Sequence, residues 1–157
     1  MINLPEKVIT FLQAQGFVVV STVEGDSTPH NSCKGIVKID RKGKVYLLDL
    51  YKARTYDNLR RNPKISIAAV DEHKFKGYCL KGEAQLVPVE RLGPDVLEAW
   101  EKRITSRLTQ RLIRNIREEK GHPRHPESQL PTPEYMIVME VKEIVDLTPH
   151  HITEEGE

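Results

Sequence analysis

Residues 48–63 read Leu48-Asp49-Leu50-Tyr51-Lys52-Ala53-Arg54-Thr55-Tyr56-Asp57-Asn58-Leu59-Arg60-Arg61-Asn62-Pro63. The apolar lead-in, Val45 to Leu50, has the short hydrophobic character of a strand. The chain then turns polar, gathers Lys52, Arg54, Arg60 and Arg61, and spaces Tyr56 and Leu59 three apart, which predicts a short helix closed by Pro63. A strand handing over to a short helix, with cations collected at the helix start, is the unit around which the rest of the sequence arranges itself.

Working outward, Glu24-Gly25-Asp26-Ser27 and Asp40-Arg41-Lys42-Gly43 are turn sequences. They separate three strands: a β-branched run from Phe17 to Thr22 with no helical period, His30 to Ile39, and Val45 to Leu50. Short Gly-containing turns join antiparallel hairpins, not crossover units. Downstream, Lys64 to Val70 and Tyr78 to Val87 predict two more strands, with Gly82 marking a bulge, and Tyr135 to Leu147 supplies the last. Before the first strand, Asn3, Pro5 and Glu6 look like a helix start, with Asn3 as the capping side chain; Val8, Ile9, Phe11 and Leu12 form its apolar face, and Gly16 offers a left-handed stop. A long helix opens at Gly93-Pro94-Asp95 and closes at Gly121, with Leu97, Ile104, Leu108 and Leu112 on one face and Trp100 at its edge. Pro123, Pro126, Pro131 and Pro133 form a loop behind it. The expected fold is mainly β with helical elaborations: six antiparallel strands, which close their edges as a barrel.

Composition narrows the function. The 157 residues, 38% hydrophobic and 30% charged, fit one globular unit, expected over residues 1–150 with a helical elaboration at about 91–121, a proline-rich loop at 122–134 and a tail at 151–157. A core of this size often leaves an apolar face for a twin subunit. With 24 basic and 23 acidic residues, the chain gives no reason to expect a bulk polyanion partner such as nucleic acid. Two cysteines, Cys33 and Cys79, make neither a disulfide framework nor a metal cluster and read as cytoplasmic thiols. The N-terminus, with Glu6, does not resemble a signal peptide, and no apolar run is long enough to span a membrane.

Chemistry gathers at the start of the short helix. A helix N-terminus carries unpaired N–H groups and partial positive charge, so it favours a phosphate. Lys52 and Arg54 add full charges, Arg54 in a form that grips two oxygens, and Thr55 adds a hydroxyl. The same residues also read as a solvated basic turn with Thr55 as an ordinary cap.

Together with Pro29-His30-Asn31-Ser32-Cys33-Lys34-Gly35 on the preceding strand, this segment resembles the pyridoxamine 5′-phosphate oxidase-like family of split β-barrels that bind flavin mononucleotide (FMN). The pattern continues through Gly43-Lys44-Val45-Tyr46, Asn58-Leu59-Arg60-Arg61-Asn62-Pro63-Lys64-Ile65-Ser66, Lys81-Gly82-Glu83-Ala84 and Val141 to Leu147. The resemblance implies a homodimer with FMN at the subunit interface. In it, Arg54 and Thr55 match the pair that holds the FMN phosphate, Lys52 is a supporting charge, and Asn58 faces the same end. Asn31, Ser32, Cys33 and Lys34 match the strand lining the isoalloxazine ring, and Asp49 sits where the next strand passes it. The implied activity is an FMN-dependent oxidoreductase acting on a small molecule. The C-terminal tryptophan and arginine segment that the family's founding enzyme uses for its substrate find no match in Asp146-Leu147-Thr148-Pro149-His150-His151-Ile152, so pyridoxamine phosphate itself is not expected. A non-catalytic FMN carrier, a relative using haem or deazaflavin, and more distantly a nucleic-acid-binding module are the competing expectations.

Arg103, Arg107, Arg111, Arg114 and Arg117 stack along one side of the long helix. They read as a solvated face paired with Glu101, Glu118 and Glu119, or as a surface steering an anionic substrate. His122 and His125, in the proline-rich loop, read as exposed residues and not metal ligands. His73, Lys74 and Lys76 belong to a turn facing water, and Cys33 to a small filler on its strand.

Overall fold

A computed structural model describes residues 2–117 and 133–153. Its elements, in chain order, are α1 (Glu6–Gln13), β1 (Val18–Val23), β2 (Pro29–Ile39), β3 (Lys44–Leu48), α2 (Arg54–Arg61), β4 (Lys64–Asp71), β5 (Lys76–Pro88), a 3₁₀ turn (Val89–Arg91), α3 (Pro94–Ile116), β6 (Tyr135–Asp146) and a terminal helical turn α4 (His150–Thr153). The strands form a closed antiparallel barrel in the order β1-β2-β3-β6-β5-β4, completed by the pairing of β1 with β4. The fold is mainly β with helical elaborations, and α3 precedes the last strand. The helical turn α4 occupies the start of the tail expected from residue 151. Gly121, Pro123, Pro126, Pro131, His122, His125, Glu118 and Glu119 lie outside the described residues.

Alternation along the strands makes the core. Val18 and Val20 of β1, Val45 and Leu47 of β3, Ile65 and Ile67 of β4, and Ile137, Met139 and Val141 of β6 point inward and are buried. The intervening Val19 is 42% exposed, so β1 buries one face only. Helix α1 plugs one end with Val8, Ile9 and Leu12, and its Phe11 ring meets Tyr78, early in β5, edge-on at 5.3 Å. Helix α2 plugs the other end: Leu59 enters the core, and Tyr56 meets Tyr135, which pairs with Pro88 at the end of β5, at 5.1 Å.

Local punctuation follows the sequence in part. Gly43, with φ 86°, takes the left-handed corner of the β2–β3 turn. At Gly82 the β5–β6 register shifts, and a side chain there would collide with the Glu140 carbonyl oxygen; the bulge brings two backbones together. At α1, by contrast, the N-cap is Pro5 with no side-chain hydrogen bond, so Asn3 does not cap. Gly16 is not left-handed either. Its carbonyl instead accepts a 2.8 Å hydrogen bond from Nη2 of Arg103, and its bare Cα lets the Arg107 side chain approach.

Candidate functional site

The barrel end closed by α2 carries an unusual concentration of polar side chains. Thr55 and Asn58 are poor helix formers, yet both are buried on the inner face of α2. Each is held by a partner on the rim. Thr55 Oγ1 shares a 2.9 Å hydrogen bond with Ser32 Oγ of β2, and Asn58 Nδ2 donates to Thr22 Oγ1 of β1 at 3.0 Å. Arg61 Nη2 donates back to Asn58 Oδ1 at 2.7 Å. Asn58 therefore fastens α2 to the barrel, and its amide faces the core instead of the helix start. The Thr55 hydroxyl is turned to Ser32, and the N-terminus of α2, with Ala53 as N-cap, carries no side-chain cap hydrogen bond. An uncapped helix start beside two hydroxyls is an arrangement that accepts an anion.

Arg54 projects outward from the same point. Its side chain is 74% exposed, and its nearest acid, Glu24 on the β1–β2 turn, stands 3.7 Å away and 3.6 Å from His30 Nδ1. Between Arg54 and that turn lies a cleft of about 390 Å³, bordered by Gly25, Asp26 and Thr28. Lys52 leans the other way, 3.1 Å from Glu134 and over the rings of Tyr56 (5.2 Å) and Tyr135 (5.8 Å). The Glu134 carboxylate raises the Lys52 ammonium above its ordinary range. The two cations read together from the sequence thus flank the helix start from opposite sides.

Further along the rim, Asp49 is 2% exposed and both its oxygens are used. Lys34 Nζ donates to Oδ1 at 2.6 Å, and the Tyr135 hydroxyl donates to Oδ2. Burial foremost, and then the hydrogen bond to this carboxylate, push the Tyr135 phenol far above its ordinary value, so it remains a donor. Ser32 and Lys34, two residues apart on β2 and so about 6.6 Å apart along the backbone, direct the hydroxyl pair and the ion pair to one face.

The alternation of β2 divides the four residues expected to line a ring. Ser32 and Lys34 face the rim network, while Asn31 and Cys33 are exposed on the outer face. There Asn31 Oδ1 accepts a 2.5 Å hydrogen bond from Ser21 Oγ of β1. Cys33 borders a small cleft between β2, the end of β3 and α3, lined also by Gly35, Leu48 and Arg103.

Arg103 does more than the helical stripe suggests: it donates from Nη1 to Ile36 O at 3.1 Å and from Nη2 to Gly16 O, clipping α3 to β2 and to the segment before β1. Arg107 stacks over Phe17 at 5.3 Å, whereas Arg114 and Arg117 are exposed. Gly35 was the available signal: its bare Cα lies directly beneath the Arg103 guanidinium, where any Cβ would overlap it. Tyr135, read only as a strand residue, closes the Asp49 network. Among the described residues no group of three or more His, Cys, Asp and Glu is placed to hold a metal ion.

The family model for pyridoxamine 5′-phosphate oxidase matches residues 4–145. The chain belongs to this family. No curated protein matches its sequence. Among solved structures it is similar to HupZ from Group A Streptococcus, at 21% identity and TM-score 0.64, covering 92% of this chain and 95% of that one. An FMN-binding protein from Syntrophomonas wolfei gives 13% identity and TM-score 0.64 over 92% of this chain and 86% of that one. A protein described as an F420 reductase gives 17% identity and TM-score 0.58, covering 90% and 98%. At these identities the likeness is one of fold, and the oxidase-family barrel is the scaffold on which the rim residues are set.

Proposed function

We propose that this oxidase-family chain binds FMN at the α2 end of the barrel and serves as an oxidoreductase for a small molecule. The observation that carries this reading is the uncapped start of α2, which carries the Thr55–Ser32 hydroxyl pair and, next in sequence, the outward Arg54 guanidinium. These donors fit a phosphate: backbone N–H groups, two hydroxyls and a planar cation are the usual set for it. Lys52 adds charge from the opposite side, and Asn58 keeps the helix seated. The ring would then lie along β2, where Ser32, Lys34 and Asp49 border one side and Asn31 and Cys33 present the outer face. The flavin supplies the electron-accepting chemistry, and the protein binds, orients and excludes water. The FMN-binding and F420-reductase relatives support a flavin-type ligand without choosing between the two.

A homodimer belongs to the same proposal. Leu112, Ile113 and Ile116 of α3 are 64%, 44% and 76% exposed, and Phe17, Val19 and Tyr51 add exposed apolar surface on the barrel. Such a surface suits a second copy. Free thiols at Cys33 and Cys79 fit a reducing compartment, and among the described residues no helix is long and apolar enough to cross a membrane.

A visible absorption spectrum of the purified protein, with and without added FMN, F420 or haem, tests the reading. The expected result is a flavin band lost in the double variant Arg54→Ala/Thr55→Ala, whose affinity falls on the order of 100-fold or more as two anion contacts disappear. Unchanged FMN binding in that variant removes the phosphate site; a haem or F420 spectrum without an FMN one replaces the cofactor.

A further inference from the structure

Both cations beside the start of α2 already stand against an acid, but the two acids are held differently. Lys52 is 3.1 Å from Glu134, within hydrogen-bonding distance. Glu24 Oε1 is 3.7 Å from Arg54 Nη1 and 3.6 Å from His30 Nδ1, too far from either for a hydrogen bond. The Glu24 carboxylate is shared between two neighbours and fixed to neither.

Its backbone, by contrast, is fixed. Glu24 N donates to Thr28 O at 2.9 Å, and Ser27 N donates to Glu24 O at 3.0 Å. The side chain, 26% exposed, can therefore turn between His30 and Arg54 while the β1–β2 turn stays in place. The other charged groups here are engaged elsewhere. Asp26 Oδ1 accepts from Thr28 N at 3.0 Å, and Arg61, whose guanidinium lies beside Gly25, donates to Asn58. An anion seated at the helix start and on Arg54 meets Glu24 as a rival for the guanidinium and as a like charge beside it.

Resting on the phosphate reading of this site, we propose that Glu24 is a built-in competitor. It neutralises Arg54 while the site is empty, gives way to the ligand's phosphate, and so keeps a phosphorylated flavin exchangeable instead of permanently held. The looseness of the contact is what permits this. An exposed ion pair shifts an equilibrium by at most about fivefold, which a phosphate on several donors overcomes.

The test is a titration of flavin-free protein with FMN and, separately, with riboflavin, which keeps the ring and loses the phosphate, read by quenching of flavin fluorescence. Glu24→Gln is expected to tighten FMN about fivefold and to leave riboflavin within about twofold of the parent. In an Arg54→Ala background the same substitution is expected to gain less than about twofold, because the contested partner is gone. Unchanged or weaker FMN binding in Glu24→Gln overturns the proposal, as does a gain that riboflavin shares or that persists in full without Arg54. If the parent protein binds no FMN, the flavin reading falls, and thermal melting with inorganic phosphate decides on the competitor alone. A larger upward shift of Tm in Glu24→Gln than in the parent keeps it, and equal shifts remove it.

Discussion

Helix α2 has eight residues and buries three of them, Thr55, Asn58 and Leu59; helix α3 has 23 residues and buries one, Val96. The short helix is bound by complementary polar groups. Two of its three buried residues are hydrogen-bonded to the barrel rim, and its remaining surface is charged. The long helix carries more apolar side chains than the barrel covers: Leu97, Ile104 and Leu108 are half-buried and Leu112 is exposed. Its polar attachments in the first half of the helix include Asp95 on Lys38 of β2 and the Arg103 guanidinium on two carbonyls. An element seated by specific hydrogen bonds can hold a ligand in register, whereas an element with surplus apolar surface is waiting for something broad to cover it.

The largest effect expected from attacking this contrast lies at the rim. Asp49→Ala should cost about 3 kcal/mol in urea denaturation, because it strips a largely buried lysine of its counter-charge and Tyr135 of its acceptor. A loss below ~1 kcal/mol would mean that the network adds little to what seats α2. Arg103→Ala should cost roughly 1–2 kcal/mol, and Arg114→Ala, eleven residues along the same helix and exposed, less than ~0.5 kcal/mol. Equal costs for the two arginines would erase the distinction between a clip and a solvated stripe. Leu112→Lys combined with Ile116→Lys should leave barrel stability within ~0.5 kcal/mol and halve the mass seen by light scattering. An unchanged dimer mass in that variant moves the interface elsewhere.

The smallest effect is expected in alkali. The phenol of Tyr135 is raised above its ordinary value of 10.0 in the folded chain, so its contribution is complete below pH 10 and declines as pH rises beyond it. Unfolding free energies measured from pH 9 to 11 should therefore fall less steeply for Tyr135→Phe than for the parent. Parallel slopes would detach Tyr135 from the network.

Strand positions were readable because alternation and turn chemistry agree with barrel closure at almost every step; Gly43 and Gly82 do what their surroundings suggest. The helix start at Arg54 was readable for the same reason. What escaped were relations across the chain. Asn31, Ser32, Cys33 and Lys34 are neighbours in sequence, but the pleat sends alternate residues to opposite faces, so a contiguous motif could not remain one surface. Asn58 is polar and near a basic helix start, yet its partner Thr22 lies 36 positions away and draws it inward. The arginine spacing on α3 was correct as a helical stripe, but a period says nothing about what the stripe meets. Arg103 found backbone carbonyls 67 and 87 positions distant.

That the polar attachments of α3, at Asp95 and Arg103, lie in its first half has a consequence for how the native chain opens. Beyond Arg107 the helix shares little buried surface with the barrel, so its turns around Leu112 to Ile116 form a subunit of stability of their own. Amide hydrogens there would exchange through fraying confined to the helix end, while those of β4 and β5 would wait for global unfolding. Covering that end with a second copy would then raise its exchange protection steeply with protein concentration and leave the barrel amides almost unmoved.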